Sequence, residues 1–127
     1  MSSPSILVVD DSTSLRSMIA ACLRAGGYTV TEASDGKEAH EVAREGSFDM
    51  LVTDQVMPVM DGLSLIRALR ATPAYAAVPM LMLSTEHDDR ILDQAREAGA
   101  SGFLAKPFDP EALMASVEAL LDPSNEG

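Results

Sequence analysis

The stretch ILVVDDSTSLRSMIAACLRAGGYTVTEA, residues 6–33, decides the fold. It opens on a short unbroken apolar run, Ile6 to Val9, which reads as a strand buried on both faces. Asp10 and Asp11 end that run. Leu15, Met18, Ile19, Cys22 and Leu23 then recur at three- and four-residue spacing, the mark of one buried helix face. Gly26 and Gly27 supply the helix stop. Tyr28–Ala33 follows as a second strand in which Thr and Glu alternate with apolar residues, as suits a sheet edge. Strand, helix and strand with short joins make a βαβ unit, and βαβ units build parallel sheets.

The same alternation continues outward. Three more apolar runs, Met50–Thr53, Met80–Leu83 and Gly102–Ala105, are separated by helix-like stretches. A polar helix opens at Asp35–Gly36 and runs through about Glu45, closed by Gly46. A third spans about Gly62 to Ala71, and a fourth about Asp88 to Ala98 with Gly99 as stop. The last has Asp109 as N-cap and Pro110 at its first position, and ends before Pro123. Only Met1–Ser5 and Ser124–Gly127 read as frayed. The expectation is one α/β domain over residues 1–127: a doubly wound, five-stranded parallel sheet with helices on both faces.

Composition bounds the function. The 127 residues carry 9 Lys and Arg against 20 Asp and Glu, a net charge of −11. That surface repels nucleic-acid phosphates and anionic lipid, so neither nucleic acid nor membrane is an expected partner. The single cysteine, Cys22, cannot close an intramolecular disulfide, and no Cys/His cluster has zinc-like spacing. No signal peptide or membrane-length apolar run is present, so the expected location is the cytoplasm.

In open parallel sheets, sites form outside the carboxyl ends of the strands. Here strand 1 ends in Asp10–Asp11, strand 3 in Asp54, strand 4 in Ser84–Thr85 and strand 5 in Lys106–Pro107. Singly, each has an ordinary explanation: Asp11 or Ser12 could cap a helix, and a lysine after a strand is usually a solvated charge. Together they would place three carboxylates, one or two hydroxyls and an ammonium around one cleft. Clustered carboxylates need either a raised pKa or a cation among them, and Mg²⁺ with its oxygen ligands is the economical answer. A carboxylate beside Mg²⁺, with Lys and Ser near, is suited to accept a phosphoryl group.

Five segments then carry a resemblance: ILVVDD (6–11), DGKEA (35–39), LVTDQVMPVMDG (51–62), VPMLMLSTE (78–86) and AGASGFLAKPF (98–108). In this order and spacing they resemble the receiver domain of two-component response regulators, of the single-domain chemotaxis type, from Ile6 to about Leu121. The resemblance implies the strand order 2-1-3-4-5. It implies Asp54 as phosphoacceptor, and Mg²⁺ held by Asp11, Asp54 and the Val56 backbone carbonyl, with Asp10 as outer acidic partner. It implies Ser84 as the switch hydroxyl with Thr85 beside it, Lys106 as the neutralising ammonium, and Phe103 as the aromatic switch residue. A cis Lys106–Pro107 bond is also implied. The chain departs from the chemotaxis pattern at Val56 (often Asn), Phe103 (commonly Tyr) and Thr85 (usually Ala), while Glu86 keeps an acid near the pocket.

The implied partners are a sensor histidine kinase as phosphodonor and a protein target such as a flagellar motor switch or a chemotaxis kinase. The target would be engaged through the face of helix 4, strand 5 and helix 5. With no output domain after Gly127, output is expected through protein contacts, from a monomer or from a dimer formed on activation. Such a domain catalyses only its own phosphorylation and dephosphorylation and is not a metabolic enzyme. A phosphate sink or phosphorelay shuttle would share every one of these residues. Other classes fit less well. A flavodoxin-like carrier of flavin mononucleotide needs a Ser/Thr/Gly-rich phosphate loop where Asp10–Asp11 stand. A Mg²⁺-dependent phosphohydrolase usually carries its nucleophile after strand 1 and adds a cap domain. An unphosphorylated pseudo-receiver would not need the full set of acids, hydroxyl and lysine.

The remaining conspicuous residues read as structural. The Met80–Leu83 run is core strand, and His40 and His87 are surface residues without matching ligands. Cys22 is an inert core thiol, while Met57 and Met60 are balanced between packing and partner contact.

Overall fold

The computed structural model describes residues 3–122; the readings of Met1–Ser2 as frayed, of Pro123 as a stop and of Ser124–Gly127 as frayed lie outside them. The elements run β1 (Ser5–Val9), α1 (Thr13–Ala25), β2 (Thr29–Ala33), α2 (Gly36–Glu45), β3 (Met50–Asp54) and α3 (Gly62–Arg70). There follow a 3-10 turn (Pro73–Tyr75), β4 (Met80–Ser84), α4 (Asp89–Ala98), β5 (Gly102–Ala105) and α5 (Pro110–Leu121). All strand pairs are parallel, in the order β2-β1-β3-β4-β5. The three continuous apolar runs are the three central strands, and the alternating run is an edge.

Period-two geometry sends successive side chains to opposite faces, so each central strand feeds two cores. Leu7, Val9, Leu51, Met80 and Met82 pack under α2, α3 and α4, against Leu65, Ile66, Leu69 and Ile91. Ile6, Val8, Met50, Val52, Leu81 and Leu83 pack on the other face against Ile19 and Leu23 of α1 and Leu113 and Val117 of α5. No described helix is long and apolar enough to cross a membrane.

Each helix starts on a side-chain cap. Ser12, Asp35, Asp61, Asp88 and Asp109 accept from the N–H groups of Leu15, Glu38, Ser64, Ile91 and Ala112. Such caps contribute about 1 kcal/mol apiece. Because Ser12 caps α1, Asp11 has no capping role and its carboxylate is left for other work.

The differences from the sequence reading are local. Ser5 is ordered in β1, paired with Thr29, because its N–H donates to the Asp49 carboxylate (2.7 Å). Tyr28 precedes β2, and Ala71 is the C-cap of α3 rather than its last turn. Cys22 is half-buried at the edge of the α1 core, beside Met18, and not fully inside it. Met57 is buried and Met60 packs on the same core, whereas Val56 and Val59 of that loop are exposed.

Candidate functional site

Asp10 follows β1 and is fully buried. Its N–H donates to the Ala33 carbonyl (3.2 Å), its Oδ1 accepts from Ser12 N–H (2.8 Å), and its Oδ2 lies 3.3 Å from Lys106 Nζ. Asp54, the last residue of β3, is buried, and its Oδ1 accepts from Gln55 N–H (2.9 Å) and faces Lys106 Nζ at 3.0 Å. Asp11 stands at the exposed rim. Asp10, Asp11 and Asp54 each present an oxygen within 4.8 Å of the others.

Lys106 reaches this centre from the end of β5, its side chain 15% exposed. The Lys106–Pro107 bond is cis, in agreement with expectation. Its backbone N–H donates to the Ser84 carbonyl (2.8 Å), tying the ends of β4 and β5 together. Ser84 is buried at the end of β4, and its hydroxyl accepts from Glu86 N–H (3.0 Å). Glu86 itself is exposed and pairs with Arg90 (3.7 Å).

The electrostatics follow from burial. Desolvation pushes the Asp54 carboxyl above its ordinary value, with the Asp10 charge adding to it, although Lys106 and Gln55 N–H oppose the rise. Burial works against the Lys106 ammonium, but its hydrogen bonds and charge contacts with Asp54 and Asp10 carry its pKa above the ordinary value. One ammonium among three carboxylates leaves the centre acidic.

That donor set fits a hard divalent cation: all-oxygen, carboxylate-rich and open to water at Asp11. Among the described residues no hydrogen bond takes up the Val56 carbonyl, which sits in the loop after Asp54. The Val56 side chain is 65% exposed and has no polar group to offer.

Thr85 is exposed and lines a cavity of about 280 Å³ with Leu15, Lys106, Pro107 and Phe108. Phe103, half-buried on β5, packs against the α2–α3–α4 core. It also borders a second cavity of about 170 Å³ with Leu92, Ala95 and Arg96 of α4. The structure therefore unites Asp10, Asp11, Asp54 and Lys106 in direct proximity, and sets Ser84, Thr85 and Val56 on the adjoining strand ends and loop. Phe103 lies outside the acidic centre, toward α4.

Three supporting features escaped the sequence reading. Gln55 clamps the loop: its carbonyl accepts from Gly62 N–H (2.9 Å) and its Oε1 from Leu63 N–H (2.8 Å). A Cβ at Gly62 would collide with the Asp54 carbonyl oxygen, so the return of the chain onto the site requires glycine there. Arg16 donates to the Asp10 carbonyl (2.7 Å). Adjacency to Asp54 was the only sequence cue for Gln55, and nothing local marks Arg16.

This fold, with its acids gathered at the switch point of the sheet, defines a response-regulator receiver domain. The chain belongs to that family: the model of the response regulator receiver domain matches residues 6–118. Within it, the chain is similar to the chemotaxis protein CheY of Pseudomonas aeruginosa, 39% identical over 121 residues, which cover 94% of this chain and 98% of that one. It is also similar to the transcriptional regulatory protein PrrA of Mycobacterium leprae, 42% identical over 121 residues, 95% of this chain but 51% of that protein. The structure of the chemotaxis response regulator CheY4 of Vibrio cholerae superposes with a TM-score of 0.91 at 38% identity, covering 94% of this chain and all of that one. Receiver domains bind Mg²⁺ at an acidic pocket, and membership implies a histidine kinase as phosphodonor and a target.

Proposed function

We propose that residues 1–127 act as a cytoplasmic response-regulator receiver that accepts a phosphoryl group on Asp54. The observation that carries this reading is the placement of the buried Asp54 carboxylate between Lys106 at 3.0 Å and the oxygens of Asp10 and Asp11. Gln55 N–H and Lys106 occupy Oδ1, which leaves Oδ2 to attack. Attack forms a phosphorus–oxygen bond; the bond to the donor's imidazole nitrogen breaks, and that nitrogen keeps the electron pair and takes up a proton.

Asp11, Asp54 and the Val56 carbonyl would hold Mg²⁺, with Asp10 behind them. When bound, the ion supplies charge neutralisation on the transferring oxygens. Lys106 neutralises the phosphoryl group, the Ser84 hydroxyl releases Glu86 N–H to contact it, and Thr85 borders the approach. Phe103 then repacks against α4 and changes the α4–β5–α5 face that a target reads.

Similarity to chemotaxis regulators along almost their whole length supports a target in motility, such as a motor switch or a chemotaxis kinase. PrrA relatives, of which this chain spans about half, support only the receiver chemistry. Intact-mass spectrometry after incubation with acetyl phosphate tests the proposal. One added phosphoryl group that needs both Mg²⁺ and Asp54 is expected; equal labelling of Asp54→Ala would sink it.

A further inference from the structure

The β1–α1 turn that carries Asp10 and Asp11 is held by a cation outside the acidic centre. Arg16, one turn into α1, sends its side chain back over the turn it has just left. One terminal nitrogen donates to the Asp10 carbonyl at 2.7 Å, and its Nε donates to Glu32 Oε1 on β2 at 3.3 Å. Only 16% of the Arg16 side chain is exposed. Glu32 is held in turn by Arg24, at 3.5 Å, and Arg24 also donates to the Val30 carbonyl (3.1 Å). Asp10 N–H is taken by Ala33, the neighbour of Glu32. Both backbone polar groups of Asp10 are thus referred to the end of β2.

The peptide bond makes that consequential. The Asp10 carbonyl and the Asp11 N–H lie in one rigid plane that ends at the Asp11 Cα. Fixing the carbonyl oxygen therefore fixes where Asp11 starts and narrows the directions its carboxylate can take. We infer that Arg16, anchored by Glu32, is a positioning residue that sets the Asp10–Asp11 carboxylates for a divalent cation; this rests on the proposed phosphoryl-accepting site. Charge alone would act in the opposite sense, because a guanidinium beside an acidic centre weakens its hold on Mg²⁺. The two roles therefore predict effects of opposite sign.

The test is a calorimetric Mg²⁺ titration of the full chain, wild type beside Arg16→Gln and Arg16→Lys, with urea unfolding of each. Loss of a group that orients metal ligands costs about tenfold or more in affinity, so Arg16→Gln should bind Mg²⁺ about tenfold more weakly despite losing a positive charge. Arg16→Lys, able to reach one of the two acceptors, should fall between. In metal-free Arg16→Lys, the Ser12 amide, which donates to Asp10 Oδ1, should exchange faster than in wild type. That keeps the test intact if Arg16→Gln does not fold. Unchanged or tighter Mg²⁺ binding in the variants overturns the positioning role, and wild-type protein that takes up no Mg²⁺ overturns the site reading beneath it.

Discussion

Replacing Lys106 by Met removes the ammonium that stands between two buried carboxylates while keeping an unbranched apolar stem. In the native site Nζ stands 3.3 Å from Asp10 Oδ2 and 3.0 Å from Asp54 Oδ1. Removing one partner from a buried ion pair typically costs about 3–5 kcal/mol. Protonation sets a ceiling here. A carboxyl with the ordinary value of 3.8 pays about 1.36 kcal/mol per pH unit to take up a proton, hence about 4.4 kcal/mol near pH 7. Asp54 already lies above that value, so part of this cost is present in the native protein. The expected loss near pH 7 without metal therefore stays below about 4 kcal/mol. It should shrink as the pH falls and Asp54 takes up its proton, and on adding Mg²⁺. Urea unfolding with chelator, at two pH values and then with Mg²⁺, reads all three effects. A loss of equal size at both pH values, or none near neutrality, would mean that Lys106 is not held between these acids.

Four further outcomes follow from the same geometry. The raised Asp54 pKa means that the folded state keeps this proton to higher pH than the unfolded chain, so ionisation of Asp54 costs stability above about pH 3.8. Asp54→Asn should therefore unfold at higher urea than wild type near neutrality in metal-free buffer, with the gain fading in acid; a gain that grows in acid would reverse the assigned sign. Gly62→Ala drives a methyl into the Asp54 carbonyl and should cost about 2 kcal/mol in thermal unfolding, against little for the exposed Ser64→Ala. Phe103→Ala, at a half-buried position, should cost about 1–2 kcal/mol and leave acetyl-phosphate labelling intact while weakening target binding; unchanged target affinity removes Phe103 from the switch. Chelation of Mg²⁺ should abolish labelling and leave the far-ultraviolet circular dichroism unchanged, whereas collapse of the fold would make the ion structural.

What the sequence displayed well is what depends on local period and order. Continuous runs such as Met50–Thr53 mark strands covered on both faces, and the Asp and Ser caps mark helix starts, so the fold class and the acids at the strand ends could be read directly, while the strand order came only with the family resemblance. What it hid depends on the chain returning from a distance. Tyr75, at the end of a 3-10 turn, is anchored by its hydroxyl, which donates to the Ala43 and Gly46 carbonyls about thirty residues away in sequence. Gln55 acquires its clamp only when residues 62 and 63 come back to it. Arg16 meets Glu32 only once β2 is in register beside β1.

The loop after Asp54 shows the limit most clearly. Methionines are the larger apolar residues there, yet Met57 is buried while Val59 is 79% exposed with φ at 71°, a left-handed conformation that β-branched residues rarely adopt. Backbone path, not residue type, decides which side chains face water. The Asp-Gly pair at 35–36 has a comparable non-local meaning. Asp35 caps α2 as its local pattern suggests, but Gly36 also makes room for the Met60 backbone, which a Cβ would strike.

The most direct test of the account is to locate the phosphoryl group. Protein treated with acetyl phosphate and Mg²⁺ would be reduced with borohydride, which converts an aspartyl phosphate to homoserine, and then mapped by peptide mass spectrometry. Homoserine at position 54 alone, absent when Mg²⁺ is withheld, is the predicted result. Homoserine at position 10 or 11, or a phosphoryl group retained on Ser84 or Thr85, would contradict it.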